Sequence, residues 1–212
     1  LRDKKTNRFD FRQSLRRMGE LLTYELLRYG KTKVFKVVTP LGKAKGYKLE
    51  DNYVVVPVLR AGMPIAEGFN AMVSSVEIAF VSCWRDKDLS VVVEYAKVPD
   101  IQGKHVIIID PMLATGHSLC AVYEALKRFG KAKSWKVIAV IASPVGLREI
   151  SKVFPRGTDV FLCALDDEVF EEGFLGPGLN SHGYIVPGLG DAGDRAYGEP
   201  LKLKKCDQCL PK

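Results

Sequence analysis

A chain of 212 residues, 47% hydrophobic and 27% charged, is long enough to bury one core and has the composition of an ordinary globular domain. Its longest apolar runs have the length of strands, which excludes a helical membrane span. The net charge of +7 is uneven, because residues 1–48 hold 14 basic and 4 acidic residues. Such a segment either attracts phosphate groups, in nucleic acid or in nucleotides, or is only a solvated helix face and a basic arm.

The first part of the chain predicts a helix and a hairpin. Over residues 9–29, apolar side chains recur at steps of three and four residues, which is typical of an amphipathic helix, and Gly30 is a natural stop. Residues 34–49 favour two strands joined by a turn-like Thr-Pro-Leu-Gly at 39–42. We expect this β-hairpin to form an arm, and such arms often pack on a partner chain.

Short apolar runs rich in β-branched residues then alternate with helical stretches. The runs are nearly continuous, which is typical of parallel strands buried on both faces. They cover residues 53–59, 76–82, 105–109, 136–142 and 160–165. A helix between the third and fourth runs has an apolar face from Leu119 to Phe129 and ends at Gly130. The pattern predicts an α/β fold with an open, mainly parallel five-stranded sheet flanked by helices, whose ligands bind beyond the carboxyl ends of the strands.

The regularity stops after Asp166, and the next segment is rich in glycine. Residues 173–198 contain eight glycines, together with aromatic and branched side chains that can be buried. This composition favours a small, irregular but ordered hood whose backbone approaches a ligand closely.

Residues 106–118 carry the strongest functional signal. A buried strand delivers the carboxylate of Asp110 at its carboxyl end, a short loop follows, and a helix then begins. Small loop residues leave backbone N–H groups unobstructed, and with the Thr115 and Ser118 hydroxyls they form a cradle for phosphate. Asp110 only accepts hydrogen bonds at neutral pH, so it suits sugar hydroxyls or a metal-bound water. A ribose 5-phosphate meets both needs, whereas helix capping alone would explain one hydroxyl.

Three segments resemble the type I phosphoribosyltransferase family, and its uracil-using branch in particular. Residues 110–116, Asp-Pro-Met-Leu-Ala-Thr-Gly, resemble the family's motif for phosphoribosyl pyrophosphate (PRPP), and residues 57–62, Pro-Val-Leu-Arg-Ala-Gly, resemble its pyrophosphate loop. Residues 183–195, Gly-Tyr-Ile-Val-Pro-Gly-Leu-Gly-Asp-Ala-Gly-Asp-Arg, are similar to its uracil-binding signature and are the most specific of the three. With residues 85–86 and 94–99, the resemblance covers nearly the whole chain.

The resemblance implies a cytoplasmic enzyme that joins uracil to the ribose 5-phosphate of PRPP, releases pyrophosphate and so salvages uracil as UMP. It implies Mg²⁺ as the cofactor, held mainly through PRPP. The PRPP-binding residues that it implies are Arg60, Arg85, Asp110, Pro111, Met112, Leu113, Ala114, Thr115, Gly116, His117, Ser118 and Asp191. The residues that it implies for uracil, recognised through the backbone, are Ile185, Gly190, Asp191 and Ala192. Asp191 is also a weak candidate for the catalytic base.

Some of these residues have two interpretations. Arg85 is either a hairpin tip or, as the resemblance suggests, a side chain that reaches PRPP when the hairpin closes. His117 stands where the family often has Gly, and it either donates to phosphate or caps the helix. Pro111 follows Asp110 where many relatives have a second acidic residue, which weakens a metal role for this strand end.

A single phosphoribosyltransferase domain is expected to span residues 1–212. Within it, we predict a helix and β-arm, a PRPP-binding α/β core, a uracil-binding hood and a basic tail, over residues 1–50, 51–166, 167–200 and 201–212. Cys83, Cys120 and Cys163 lie in apolar stretches and are expected to be small buried residues of a reducing compartment. Cys206 and Cys209 are expected to be incidental thiols of the tail.

Alternatives remain open at this point. A type I relative that uses a purine or orotate gains no support from residues 183–195. A regulator that binds RNA or senses nucleotides would use the basic residues 1–48, although no RNA-binding motif is recognisable. Some members of the family are activated by GTP, and Arg28, Lys31 and Lys33 are candidates for holding a triphosphate. The arm and the family favour a homodimer or a homotetramer.

Overall fold

The computed structural model describes residues 1–73, 75–85, 91–167 and 176–199, apart from the side chain of Arg85. Its helices and strands are, in chain order, α1 (Arg8–Leu27), β1 (Thr32–Thr39), β2 (Gly42–Leu49), β3 (Tyr53–Leu59), α2 (Met63–Met72), β4 (Glu77–Ile78), β5 (Phe80–Arg85), β6 (Val91–Lys97), β7 (His105–Ile109), β8 (Met112–Leu113), α3 (His117–Leu126), β9 (Ser134–Ala142), α4 (Pro144–Val153), β10 (Asp159–Leu165) and α5 (Ala192–Tyr197). The predicted tail, with Cys206 and Cys209, lies outside the described residues.

Helix α1 confirms the predicted N-terminal helix, although it begins one residue earlier and ends two residues earlier than the pattern indicated. Asn7 caps it, because its side-chain oxygen accepts a hydrogen bond from the N–H of Asp10 at 2.9 Å. At the other end, the N–H of Gly30 bonds to the carbonyl of Leu27 at 2.9 Å, which closes the chain with a tighter turn. The buried face of α1 packs against α2.

One sheet organises most of the remaining chain. Its strands lie in the order β10-β9-β7-β3-β5-β6, and every neighbouring pair is parallel except β5 and β6. The predicted, mainly parallel α/β fold is therefore confirmed, with β6 added as an antiparallel edge strand. The apolar run at 76–82 forms two strands and not one, because β4 and β5 pair with successive parts of β3.

Hydrophobic cores lie on both faces of this sheet. Val55 and Ile107 face α1 and α2, whereas Val54 and Ile108 face α3 and α4, and all four side chains are fully buried. Such strands need apolar residues at every position, as the sequence has them. Strand β10 differs because it forms the other edge, where Leu165 is 44% exposed. The prediction that every run is buried on both faces is wrong for this strand.

The helix predicted between the third and fourth apolar runs is α3, but it is shorter than its apolar pattern. It ends at Leu126, and a 3₁₀ turn, Lys127–Phe129, completes the apolar face. Gly130 follows with φ of 131°, a backbone angle that favours glycine. The predicted stop at Gly130 is thus the end of the turn and not of the α-helix.

Strands β1 and β2 form the predicted arm. They pair with each other in antiparallel register from Thr32 opposite Leu49 to Thr39 opposite Gly42, as a separate two-stranded sheet. The arm leaves large apolar side chains exposed to solvent, namely Val34, Phe35, Val38, Leu41 and Tyr47. Exposed apolar side chains clustered in this way mark interaction surfaces.

Asp51 anchors the edge of the sheet at which the strands begin. Its Oδ1 lies 2.7 Å from Lys133 Nζ and 2.9 Å from His105 Nε2, and its Oδ2 accepts a hydrogen bond from the N–H of Lys31. Burial by itself raises the pKa of the Asp51 carboxyl, but these hydrogen bonds and the charge of His105 outweigh it and lower the pKa to about 2. The ionised carboxylate therefore ties the base of the arm to β7 and to the start of β9.

The lowered pKa predicts a pH-dependent contribution to stability. The contribution is fully present above the unfolded pKa of about 3.9 and disappears as the pH falls towards 2. We expect Asp51→Asn to lower the free energy of unfolding by about 2 kcal/mol at pH 7, and the difference from wild type to shrink below about pH 4. Denaturant unfolding at several pH values measures this. Asp159→Asn, at a 55% exposed carboxylate beside Lys136, is the control, and equal pH profiles for the two variants would contradict the prediction.

Two further expectations concern burial. Within the described part of the chain, no helix has the length and apolar character needed to cross a bilayer. Cys83 and Cys120 are half-buried, but Cys163 is exposed because it lies on the edge strand β10. Its predicted burial is therefore wrong.

Candidate functional site

A cleft of about 470 Å³ opens at the carboxyl ends of β3 and β7, the edge at which ligands bind in open α/β sheets. One wall comes from the ends of those strands and from the loop before α3. The opposite wall comes from the glycine-rich hood. The lining residues are Val58, Leu59, Arg60, Ala61, Cys83, Asp110, Met112, Ala114, Ser118, His182, Gly183, Tyr184, Asp191, Ala192, Gly193 and Asp194.

Arg60 follows β3 directly and crosses the cleft towards the hood. The Leu59–Arg60 peptide bond is cis. The Arg60 guanidinium donates hydrogen bonds to Asp194 Oδ1 at 3.0 Å and to the Gly198 carbonyl at 3.3 Å, and the Arg60 side chain is 47% exposed. The two planar donor edges of a guanidinium suit a diphosphate. Arg60 thus connects the two walls of the cleft, and its side chain remains accessible to solvent.

Gly62 shows why the sequence Ala-Gly follows Arg60. A Cβ on Gly62 would lie 2.5 Å from the carbonyl oxygen of Ile109 and 2.9 Å from the N of Val58. The close approach to Ile109 holds the Arg60 loop beside the end of β7, the strand that leads into Asp110.

Asp110 leaves β7 at the cleft, where its N–H bonds to the Ile138 carbonyl at 3.1 Å. Its Oδ1 accepts a hydrogen bond from the N–H of Met112 at 3.2 Å. The predicted loop after Asp110 is partly a strand, since β8 pairs with β9. This pairing directs Met112 and Ala114 to the cleft and buries Leu113 in the core.

The start of α3 is built like an anion site. Gly116 occupies the N-cap with φ of 83°, and none of the described side chains caps the helix. The capping interpretation of His117 is therefore wrong, because His117 is the first helical residue and its side chain is exposed. Within the described residues, the Thr115 hydroxyl is buried without a hydrogen-bond partner. A buried donor of this kind normally has a partner, and a bound anion would supply one.

Ser143 fixes the loop before α3 from behind, a role that the sequence did not reveal. This fully buried residue caps α4 by accepting from the N–H of Gly146 at 3.0 Å. Its hydroxyl donates to the Ala114 carbonyl at 2.6 Å, and its own N–H bonds to the Leu113 carbonyl at 2.9 Å. Ser143 thus orients the backbone that lines the cleft without lining it itself.

Asn180 organises the part of the hood that faces the cleft. Its Oδ1 accepts hydrogen bonds from the N–H groups of His182 and Tyr184, both at 3.0 Å. The Asn180 carbonyl also accepts from the N–H of Gly183 at 3.0 Å. These bonds close a turn that presents residues 182–184 to the cleft. Neither Asn180 nor His182 was predicted as a site residue, although both lie just before the 183–195 signature.

Asp191 begins helix α5 and caps it, since its Oδ1 accepts from the N–H of Asp194 at 2.8 Å. Partial burial and the nearby Asp191 charge raise the pKa of the Asp194 carboxyl, while Arg60 opposes the increase. The two carboxylates and Arg60 therefore form one small charged group on the hood side of the cleft.

Comparison with known proteins identifies the family. The family model described as uracil phosphoribosyltransferase matches residues 1–199. The chain belongs to the uracil phosphoribosyltransferase family. Proteins of that name from Thermococcus kodakarensis and Dictyoglomus turgidum are 37% and 40% identical to it, over 96% and 93% of this chain and 86% and 91% of theirs. The predicted family and its enzymatic nature are thus confirmed.

Solved structures agree with this membership. A protein from Aquifex aeolicus superposes with a TM-score of 0.80 at 33% identity, over 93% of this chain and 90% of that one. A hypoxanthine-guanine phosphoribosyltransferase from Bacillus anthracis has a TM-score of 0.51 at 17% identity, over 75% and 80% of the two chains. The second likeness shows the fold alone.

The structure brings together about half of the residues that the family resemblance implied. Those that line the cleft are Arg60, Asp110, Met112, Ala114, Ser118, Asp191 and Ala192. Pro111, Leu113 and Ile185 are buried, and Gly190 lines a neighbouring depression that shares Asp191 and Asp194 with the cleft. Thr115 and Gly116 form the buried turn that leads into α3, and His117, its first residue, is exposed. The Arg85 side chain lies outside the described residues.

Proposed function

We propose that this chain transfers the ribose 5-phosphate of PRPP to uracil and releases pyrophosphate, giving UMP. The observation that carries the proposal is the pairing, across one cleft, of an uncapped helix start beside Asp110 with a hood built on the 183–195 signature. The proteins that the chain resembles are named for this reaction. We keep the predicted division into arm, PRPP-binding core, hood and tail as part of the proposal. In it the core supplies one wall of the cleft and the hood supplies the other.

The PRPP part of the proposal rests on charge and on donors. The N-terminal turn of α3 presents backbone N–H groups and the positive end of the helix dipole to a phosphate. The unpartnered Thr115 hydroxyl and Ser118 would add donors to the 5-phosphate, while Asp110 would accept from the ribose hydroxyls. Arg60 would hold the pyrophosphate, with Arg85 reaching it when the hairpin closes.

The uracil part rests on the hood. Uracil presents two carbonyls and two N–H groups on a flat ring, and backbone groups can complement that edge. We place the ring between residues 182–184 and Ala192, with Gly190 and Ile185 shaping the turns on either side. Cytosine would bring an amine where uracil has O4, and a buried donor would then lack a partner.

Bond making and breaking follow from this placement. The bond from C1′ of the ribose to the pyrophosphate oxygen breaks, its electron pair leaves with the pyrophosphate, and positive charge grows on C1′. N1 of uracil forms the new bond, and its proton passes to a base, for which Asp191 is the candidate. Arg60 stabilises the negative charge that develops on the departing pyrophosphate. Closure of the cleft would exclude water, which would otherwise capture the ribosyl group.

Mg²⁺ fits the chemistry of this cleft, because it is typically held by one or two carboxylates together with substrate phosphates. Among the described residues, no group of three or more His, Cys, Asp or Glu side chains forms a metal site of its own. Asp191 is the carboxylate that we assign to it, with PRPP supplying most of the ligands. Bound there, the ion offsets the charge of the pyrophosphate.

Asp191 is assigned both a structural role, as the cap of α5, and a role in the reaction, and one variant separates the two roles. As the cap of α5 it positions the hood, and an amide oxygen keeps that hydrogen bond. We expect Asp191→Asn to retain the fold and to lower kcat about tenfold or more if the carboxylate acts on PRPP, its metal or a proton. Steady-state kinetics and a thermal melt measure both effects. Unchanged turnover would remove Asp191 from any catalytic role.

The decisive experiment is UMP formation from PRPP with uracil, cytosine, orotate and hypoxanthine assayed in parallel. Turnover of uracil alone supports both the reaction and the backbone recognition. Turnover of another base, or binding of PRPP without any turnover, would overturn the proposal and favour a relative with another base or a nucleotide-sensing regulator.

Regulation and assembly are proposed more narrowly. Arg28 is 2.9 Å from Glu25, so Lys31 and Lys33 are the freer candidates for holding the triphosphate of a GTP activator. Enzyme rates with and without GTP, on wild type and on Lys31→Ala, test this proposal, and identical rates throughout would contradict it.

We place the contact with a second copy of the chain on the exposed arm, and a monomer in light scattering would contradict this placement.

A further inference from the structure

Residues 1–12, here called the N-terminal segment, contact the hood through Leu1, Arg2, Asp3 and Arg12, and none of them lines the cleft. Arg2 forms a bidentate pair with Asp166 through its two terminal nitrogens, Nη2 to Oδ1 at 2.6 Å and Nη1 to Oδ2 at 2.7 Å. Its Nη1 also donates to the Gly188 carbonyl at 2.9 Å, and the Gly188 N–H donates to Asp166 Oδ2 at 2.9 Å. Arg2, Asp166 and Gly188 therefore form a closed ring of hydrogen bonds.

Burial strengthens this ring. The Asp166 side chain is only 6% exposed, whereas Arg2 is 44% exposed. The hydrogen bond from Arg2 is the main cause that lowers the pKa of the Asp166 carboxyl, and the Gly188 N–H adds to it against the effect of burial. Asp166 is thus held ionised at the end of β10, where charge-assisted hydrogen bonds are stronger than neutral ones.

Two more arginines connect the N-terminal segment to the hood. Arg195 of the hood donates to the Leu189 carbonyl at 2.7 Å, to the Asp3 carbonyl at 2.6 Å and also to the Leu1 carbonyl. In the opposite direction, Arg12 donates to the Ala196 carbonyl at 2.6 Å. The bonds run both ways between the N-terminal segment and the hood.

These contacts bracket residues 190–192, in which Ala192 forms one side of the proposed uracil site. Gly188 and Leu189 precede Gly190–Ala192, and Ala196 follows it. Glycine-rich backbone loses much conformational freedom when it is fixed, so it holds one shape only if its neighbours restrain it. The arginines supply that restraint on both sides without lining the cleft.

We propose that Arg2 is a positioning residue for the base, and that the N-terminal segment sets the affinity for uracil from outside the cleft. The inference rests on the proposed function. It assigns Arg2, supported by Arg12 and Arg195, to the hood and not to the phosphate ligands that the basic charge of this segment suggested.

Arg2→Ala separates this role from a general effect on the fold. Loss of the ring should raise the KM for uracil about tenfold and the KM for PRPP by a clearly smaller factor. Of the residues assigned to PRPP only Asp191 lies in the hood, whereas Arg60 and the loop before α3 belong to the opposite wall. Arg2→Lys, which keeps the charge but not the bidentate pair, should give a KM for uracil between those of wild type and Arg2→Ala. Arg16→Ala removes a 3.4 Å pair with Glu20 on the exposed face of α1 and serves as the matched control.

The outcomes are distinct. A lower kcat with both KM values unchanged, or equal rises for both substrates, would mean that Arg2 only supports the fold and would overturn the inference. If Arg2→Ala does not fold, Arg12→Ala, which removes a single bond to the hood, should show the same selective rise in the KM for uracil. Wild-type protein that turns over no uracil would defeat the proposed function itself, which is a separate result.

Discussion

Arg60→Ala should lower kcat by about 10²–10³-fold, the cost of removing one donor aimed at charge that develops in a transition state. Arg60 comes directly after β3 and lines the cleft, and its side chain is 47% exposed to solvent. In the resting enzyme its hydrogen bonds go to Asp194 and Gly198. The pyrophosphate would take over these donors, so the loss falls on the chemical step more than on folding.

Three companion variants sharpen this result. Arg60→Lys keeps a positive charge without the planar fork and should recover only part of the rate. Asp194→Asn weakens the resting partner of Arg60 and should cost far less than Arg60→Ala. Arg128→Ala, at an exposed residue of the turn after α3, is the control. Rapid-quench measurement of UMP formation reports the chemical step, and an Arg60→Ala rate near that of Arg128→Ala would contradict the assignment.

Gly146→Ala should destabilise the protein and weaken PRPP binding, against the expectation from helix propensity. In the interior of a helix, Gly→Ala normally gains about 1 kcal/mol. A Cβ on Gly146 would lie 2.5 Å from the Ala114 carbonyl oxygen and 2.7 Å from that of Leu113. Overpacking of this kind costs about 1–3 kcal/mol, and the backbone that must move lines the cleft.

Whether Gly146→Ala raises or lowers the stability therefore decides between helix propensity and overpacking. We expect a lower midpoint in denaturant and a raised KM for PRPP, with the KM for uracil less affected. Gly42→Ala, in the arm, is the matched control because no atom lies within 4 Å of the added Cβ. A Gly146→Ala variant as stable as wild type or more so would show that α4 can shift away from the loop at little cost.

The central sheet could be predicted because each core strand carries its own signal. The runs at Tyr53–Leu59 and His105–Ile109 are apolar throughout, and β3 and β7 begin and end at those residues. The pattern did not reveal that β10 is an edge strand. An edge is a property of strand order, which depends on pairing between distant segments and not on the run itself.

The site was predictable only where a motif stands at a strand end. Asp110 and Arg60 follow β7 and β3, so their place beside the cleft follows from the fold. Ser143 and Arg2 were missed because their partners, the Ala114 carbonyl and Asp166, lie in distant segments. Asn180 was missed because its side chain bonds to backbone N–H groups of its own turn, which no motif marks. A buried serine at a helix cap has the same local sequence whether or not its hydroxyl also supports a ligand-binding loop.

The hydrogen bonds of the N-terminal segment also bear on the order of synthesis. Arg2 emerges from the ribosome well before its partners, because Asp166 lies 164 positions later and Gly188 lies 186 positions later. Contacts so distant along the chain form slowly. Residues through α4, which already include the cradle before α3, can assemble while the first twelve residues have no hood to bind. The base-binding half of the cleft would therefore mature last, and a ribosome-bound chain that ends after β10 should acquire its PRPP wall before it can select a base.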